Sequence, residues 1–435
     1  MSGSPVDASI ETVVLRVILQ LVVIMGAARI AGNLFRRMGQ PAVCGEIAGG
    51  LILGPSLFGR FFPGAFQTVF HASVGNTFSI LSQVGLVLLM FLIGLEFDFG
   101  HLSDNRRTAL SVSVTGIIAP FALGFGLGAW MHGAMALHGS WLNFSLFMAA
   151  AMSITAIPTL GRIMMELNLN RTRIGSLTIS AAALDDASGW IILALVTAVV
   201  RSTFDPRHVA VMVGGVVVYG LAMVLGLRPV LVRLFQAHLG RNGGDLSLNG
   251  QAVLLMLVFL SAAATNLLGI FSIFGAFMLG AILYDQAELR AAVNKRLQDF
   301  VTVFFLPIFF TYTGLRTDIG AMGGAELWLF CGLVLVAAVA GKFGGCTLAA
   351  RWSGIAPRES AMIGVMMNTR ALMELIVINI GYDLGILPKS VFFMLVFMAV
   401  VTTYMTTPVL RRLMRGSEVW KDYQESVFAA RHERA

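Results

Sequence analysis

The sequence predicts an all-α, polytopic membrane protein of about thirteen transmembrane helices, and three observations predict it. Of the 435 residues, 57% are hydrophobic and 12% charged, too little charge to coat a soluble chain of this size. The hydrophobic residues fall into successive runs that would cross a ~30 Å hydrocarbon core as helices. The basic residues gather in every second connection between those runs.

Taken in order, the spans are placed at 12–31, 41–57, 76–95, 108–131, 142–163, 174–200, 209–227, 249–267, 269–284, 298–315, 326–350, 360–381 and 390–410. The first run, from Val13 to Ile30, is too long for a secretory signal and lacks its small-residue cleavage site, so it stays as a helix. One set of connections carries Arg36 and Arg37, Arg106 and Arg107, Arg171 and Arg173, Arg228 and Arg233, Lys295 and Arg296, then Arg351 and Arg358. It closes with the basic tail from Arg411, whereas the alternate set holds only Arg60, Arg201, Arg207, Arg316 and Lys389. That asymmetry puts the first set and the C-terminus in the cytoplasm and the N-terminus outside. The net charge of +7 is a matter of topology and points to no nucleic acid. Three cysteines, Cys44, Cys331 and Cys346, lie in apolar helices without metal-ligand spacing and read as small core residues.

Two spans look interrupted. In AMSITAIPTLGRIMMEL, Pro158 removes a helical hydrogen bond, and Ser153 and Thr155 offer oxygens beside the gap. In AMIGVMMNTRALMELIVINIG, Asn368, Thr369 and Arg370 break an otherwise apolar run. Irregular backbone at membrane depth survives only where protein or a water-filled cavity satisfies it. The breaks fall in the middle members of spans four to six and eleven to thirteen. That is the pattern of inverted six-helix repeats with two broken crossing helices, joined by an odd seventh helix.

The sixth span, IGSLTISAAALDDASGWIILALVTAVV, carries two adjacent carboxylates at its centre, Asp185 and Asp186, among small residues. A charge at that depth costs about 2.5–3.5 kcal/mol on insertion scales, which points to a site for a cation or a proton. Hard monovalent cations prefer oxygen ligands, and the two aspartates, the Ser153 and Thr155 hydroxyls and the carbonyls freed at the breaks would supply them. Lys342 stands between glycines and alanines, nine residues or ~13 Å of helix from Arg351, too deep to snorkel, so Asp185 or Asp186 is its expected partner. Arg370 and Glu374, four apart on one helical face, read as an ion pair supporting the second break. Glu46 and Glu96 sit near predicted helix ends and read as interfacial or packing carboxylates. The glycines of GEIAGGLILGP suit close helix approach, since no strand precedes them as a phosphate-binding loop requires.

These residues together resemble the monovalent cation/proton antiporters, on the branch of bacterial sodium/proton antiporters and potassium-efflux transporters. The resemblance rests on QPAVCGEIAGGLILGPS at 40–56, LMFLIGLEFD at 89–98, SITAIPTL at 153–160, ALDDASGW at 183–190, GKFGG at 341–345 and NTRALMELIVINIG at 368–381. It implies a homodimer in which a dimerisation domain holds still while a six-helix core moves. The division expected is 1–107 (dimerisation helices 1–3), 108–200 (core helices 4–6), 201–245 (linker helix 7), 246–320 (dimerisation helices 8–10), 321–412 (core helices 11–13) and 413–435 (a short cytoplasmic tail). By the same resemblance Asp186 carries the ion, with sodium as its metal, Asp185 pairs with Lys342, and Thr155 supplies a hydroxyl near the ion. The expected localisation is the bacterial inner membrane. No cofactor is implied beyond the transported cation and protons. The potassium-efflux relatives carry a C-terminal nucleotide-binding domain that 413–435 is too short to supply, and the Asn368–Glu374 stretch resembles plant cation exchangers.

The resulting expectation is a sodium/proton antiporter working by alternating access and moving net charge, with potassium/proton exchange as the alternative and no enzymatic activity. Rivals from other classes are a sodium-coupled organic-anion symporter, a cation channel and an intramembrane aspartyl protease. Two adjacent aspartates on one helix, about 100° apart, suit the protease least, because its two carboxylates must share one water from different helices.

Overall fold

The structure is a computed structural model that describes residues 10–40, 42–70, 75–96, 106–155, 157–169, 172–201, 214–215, 217–268, 271–417, 420 and 424. Among those residues every regular element is helical. The first group runs α1 (Ile10–Arg37), α2 (Ala42–Leu53), two short aromatic helices α3 (Phe58–Phe61) and α4 (Pro63–Val69), then α5 (Gly75–Glu96). There follow α6 (Arg106–Ala134), α7 (Trp141–Ser153), α8 (Ile157–Glu166) and α9 (Arg173–Arg201). Next come α10 (Val217–Arg241), α11 (Leu248–Leu267), α12 (Ser272–Ala281), α13 (Ala287–Gln298) and α14 (Val301–Ala321). The chain closes with α15 (Ala325–Trp352), α16 (Pro357–Met367), α17 (Leu372–Asp383) and α18 (Lys389–Met414).

Eight of these are long and apolar enough to cross a membrane, and the bent pairs α13/α14 and α16/α17, each kinked by 43°, raise that to ten. The rest of the expected thirteen fall on shorter helices: α2, the α7/α8 pair and α12. The tenth span was expected to begin at 298, yet its helix starts at Ala287. The basic residues of this extension stay helical because Lys295 and Arg296 reach Asp245 at 3.2 and 3.1 Å. For the same reason α10 runs past 227 to Arg241, with Arg228 tied to Asp285 at 2.6 Å and to the Ile282 carbonyl at 3.0 Å. Local caps fit the sequence: Ser140 accepts from the Asn143 N–H at the head of α7, and Ser247 accepts from Gly250 at the head of α11.

Glycines weld particular helix pairs. A Cβ on Gly94 of α5 would lie 2.2 Å from the Phe277 carbonyl of α12, and one on Gly280 would lie 2.2 Å from the Phe91 carbonyl. Gly50 of α2 and Gly314 of α14 meet in the same way. Elsewhere, Gly124 and Gly128 of α6 approach the α7 backbone, while Gly341 and Gly345 of α15 press on Pro120 and Ala119 of α6. Backbones this close leave no room for a side chain, the usual means of tight packing where lipid provides no hydrophobic drive.

Candidate functional site

The middle of α9 brings Asp185 and Asp186 into the interior, and both are fully buried. Small neighbours let other helices come close: a Cβ on Gly189 would lie 3.0 Å from the Ile154 side chain. Ile154 belongs to the first interruption. Helix α7 stops at Ser153, Ile154 is extended with φ −80° and ψ 140°, and α8 starts at Ile157. Pro158 is thus the second residue of a new helix, in the first turn, where its missing N–H has no helical partner to lose.

The carboxyl end of α7 shows how a broken helix is made tolerable. Its last four carbonyls need partners from elsewhere. The Ser153 hydroxyl donates to Ala150 O at 3.0 Å. Arg370 takes the next two, Nη1 donating to Ala151 O at 3.2 Å and Nη2 to Met152 O at 2.5 Å. Lys342 Nζ donates to Ser153 O. Two buried cations therefore sit on the negative end of a half-helix, where the helix dipole favours them.

Both cations have carboxylate partners. Lys342 Nζ lies 2.6 Å from Asp185 Oδ2, with neither side chain exposed to solvent. Lys342 is carried on a stretch where α15 widens to π turns over Ala340–Gly344, a local irregularity that redirects one side chain within an otherwise regular helix. Arg370 Nη1 lies 3.4 Å from Glu374 Oε1, and Glu374 stands in the first turn of α17, where a carboxylate complements the dipole. Burying an ion pair calls for further hydrogen bonds, and the α7 carbonyls supply them to both cations, while Asp185 Oδ1 and Glu374 Oε2 are buried without a hydrogen-bond partner among the described residues.

The second interruption covers Asn368–Ala371, between α16 and α17. Thr155 joins the two breaks. Its hydroxyl reaches both Asp185 Oδ2 and the Met367 carbonyl that ends α16, the latter at 3.2 Å, and its single proton serves one acceptor at a time. Thr369 Oγ1 lies 3.2 Å from Thr406 Oγ1 on α18.

Of the residues singled out in the sequence, the structure gathers Ser153, Thr155, Asp185, Lys342, Arg370 and Glu374 into one contact network, with Asp186 one residue along α9 from Asp185. Ser153 takes part through its carbonyl, its hydroxyl being turned back onto its own helix. The part the sequence did not suggest is Arg370 as a cap on α7, 219 and 218 residues away in the chain. Glu46, read as an interfacial or packing carboxylate, is buried in α2, and Glu96 ends α5 and accepts from Asn294 at 3.2 Å and Gln298 at 3.3 Å. The cysteines are free and buried.

The matches with known proteins agree with this architecture. The family model described as "Sodium/hydrogen exchanger, transmembrane" covers residues 22–416. The chain is 38% identical over 404 residues to the Na(+)/H(+) antiporter NhaS4 of Synechocystis sp., covering 92% of this chain and 97% of that one. It is 35% identical to Cation/H(+) antiporter 18 of Arabidopsis thaliana over 90% of its own length, which is 48% of the plant protein. The solved structure of the sodium proton antiporter MjNhaP1 from Methanocaldococcus jannaschii matches 95% of this chain and all of its own, with a TM-score of 0.62 at 15% identity. At that identity the likeness speaks for the fold alone. These are transporters, which sets aside the aspartyl-protease reading. An aspartate doublet buried beside two broken helices, on a chain matched from 22 to 416, identifies a multi-pass member of the sodium/hydrogen exchanger family of monovalent cation/proton antiporters.

Proposed function

We propose that the chain exchanges sodium for protons by alternating access, with Asp186 as the ion carrier, Asp185 and Lys342 as a proton-exchanging pair, and Thr155 and Ser153 as oxygen donors. The observation that carries this reading is the aspartate doublet buried at the meeting of both breaks, with Lys342 Nζ 2.6 Å from Asp185. An arriving cation competes with the ammonium for the carboxylate oxygens, and loosening that pair lets a proton leave. Carboxylates that hold either a cation or protons give an exchange cycle. With a lysine in the cycle the exchange moves net charge, each charge driven by ~2.3 kcal/mol per 100 mV. Arg370 and Glu374 hold the scaffold of the site.

The division into a static and a moving group of helices draws support from the glycine contacts. One set ties α1, α2, α5, α11, α12 and α14 to one another, and another ties α6 to α7 and α15 and α15 to α16. The first set falls within the expected dimerisation segments (1–107 and 246–320) and the second within the expected core segments (108–200 and 321–412), with 201–245 as the proposed link. We place the protein in the bacterial inner membrane as a homodimer, with its N-terminus outside and its C-terminus (413–435) in the cytoplasm. The orientation of the termini rests on the basic residues of alternate connections.

Potassium remains the second reading, because relatives include the K(+)/H(+) antiporter 1 of Saccharomyces cerevisiae at 29% identity and the Na(+)/H(+)-K(+) antiporter GerN of Bacillus cereus at 28%. The deciding experiment is a fluorescence-dequenching assay in proteoliposomes with sodium, potassium or lithium across pH, with and without an imposed potential. The expected result is sodium-driven proton movement that responds to the potential and vanishes in Asp186→Asn with the folded protein retained. Full exchange in that variant, single-channel currents, or sodium-coupled uptake of an organic anion would each sink the proposal.

A further inference from the structure

Away from the aspartate site, α14 and α17 are joined by a polar cluster that the exchange chemistry leaves unused. Arg316 Nη1 donates to Asn379 Oδ1 at 2.9 Å, and Nη2 pairs with Asp383. The same guanidinium lies 4.8 Å from the Tyr312 ring centre and 4.7 Å from that of Tyr382. Asn379 Nδ2 in turn donates to Thr313 Oγ1 at 2.9 Å and to its own Leu375 carbonyl at 2.8 Å. Thr313 and Arg316 stand three apart on one helix, Asn379 and Asp383 four apart on the other, so each pair shares a face. A planar guanidinium that forks to two oxygens while stacked between two rings is a shape no lysine reproduces.

Three features make this more than a surface pair. Thr313 and Asn379 are buried, where a hydrogen bond is stronger than in water and harder to replace. Asp383 ends α17, where the negative pole of the helix disfavours a carboxylate, so Arg316 compensates that end. The cluster also borders a cavity of about 340 Å³ that Ser79 and Gln83 of α5 and Ser272 of α12 help to line. That cavity lies between α17 and four helices of the first glycine-welded group, α5, α11, α12 and α14.

The other end of α17 carries Glu374 and begins two residues after Arg370, the cap of α7. A twelve-residue helix is about 18 Å long and moves as a rod. Whatever holds Asn379 and Asp383 therefore also holds the first turn of α17, where Glu374 pairs with Arg370.

We propose that Arg316 is a positioning residue for exchange: a clasp that fixes α17 against α14 in this arrangement and has to open for the aspartate site to move. The proposal rests on the antiporter reading above. Its consequence is kinetic, because the clasp touches none of the groups assigned to the ion and acts on the step that carries the loaded site.

The test uses the full-length protein in proteoliposomes, in a background with Cys44, Cys331 and Cys346 replaced by alanine. Thr313→Cys with Asn379→Cys is cross-linked by oxidation or, if no disulfide forms, by a short bis-methanethiosulfonate. Exchange is expected to stop in the cross-linked fraction and to return on reduction, while each single-cysteine variant ignores the reagent. As a second readout, Arg316→Asp and Asp383→Arg are each expected to raise the maximal rate about fivefold at unchanged apparent KM for the cation, with the double swap returning it most of the way to the parent value. Exchange that continues through complete cross-linking, or single variants with unchanged or lowered maximal rate, overturns the clasp. If the background protein before cross-linking shows no exchange with any cation, the antiporter reading fails instead.

Discussion

Lys342 Nζ stands 2.6 Å from Asp185 Oδ2 and also donates to the Ser153 carbonyl, so a single ammonium pins α9, α15 and the carboxyl end of α7 together. Removing it does two kinds of harm at once. The Asp185 carboxylate is left buried without its counter-charge, and a terminal carbonyl loses its donor. Lys342→Ala should therefore destabilise the protein by about 3–5 kcal/mol, the usual cost of breaking a buried ion pair. Asp185→Asn in the same background should recover most of that loss. Thermal unfolding in detergent reads both, and equal stability of parent and Lys342→Ala would end the claim. In liposomes Lys342→Ala should also change the pH profile or the net charge moved.

Arg370 is held by two carbonyls of α7 as well as by Glu374, so lysine is a poor replacement. Arg370→Lys should lower the melting temperature and slow exchange, and Arg370→Ala should be worse. Glu374→Gln, harmful alone because it leaves the guanidinium unbalanced, should partly rescue Arg370→Ala. Additive losses in the double variant would show that the two side chains do not act as a pair.

The glycines divide sharply. Gly94→Ala forces a methyl to within 2.2 Å of the Phe277 carbonyl and should abolish stable insertion or folding, whereas Gly344, with nothing within 4 Å, should accept alanine without loss. Gly45→Ala, facing the Ala31 carbonyl at 2.4 Å, belongs with the first kind. The yield of monodisperse protein after detergent extraction separates the two classes.

Asp245 gives a pH signature outside the membrane. The Leu246 N–H, then Lys295 and Arg296, hold its carboxyl below the ordinary value of 3.8. A carboxylate whose folded value is depressed stabilises above its unfolded value, and the contribution disappears as pH falls through the folded one. The melting difference between the parent and Asp245→Asn should hold through neutral pH, narrow only below 3.8, and shrink with added salt. A difference that grows on acidification would contradict the assignment.

Much of this was legible in the sequence because membranes make charge conspicuous. Asp185, Asp186 and Lys342 stand out against apolar neighbours, and Pro158 and Asn368–Arg370 mark the breaks by composition alone. What stayed hidden depends on separations along the chain that no periodicity encodes. Nothing near residue 370 says that its guanidinium caps a helix ending at 153, and nothing near 316 points to Asn379. Helix ends were also misjudged where paired basic residues extend a helix past its apolar run, as in α10 and α13.

The completeness of the cap on α7 has one more consequence. A gap in a membrane helix ordinarily needs water to solvate its bare carbonyls, and water left in such a gap is a wire along which protons leak. Here side chains from α7, from α15 and from the second interruption stand in for that water, with Ser153, Lys342 and Arg370 taking all four acceptors. The carboxyl end of α7 can stay dry without leaving a carbonyl bare, which favours a state shut to both compartments, as tight coupling without slippage demands.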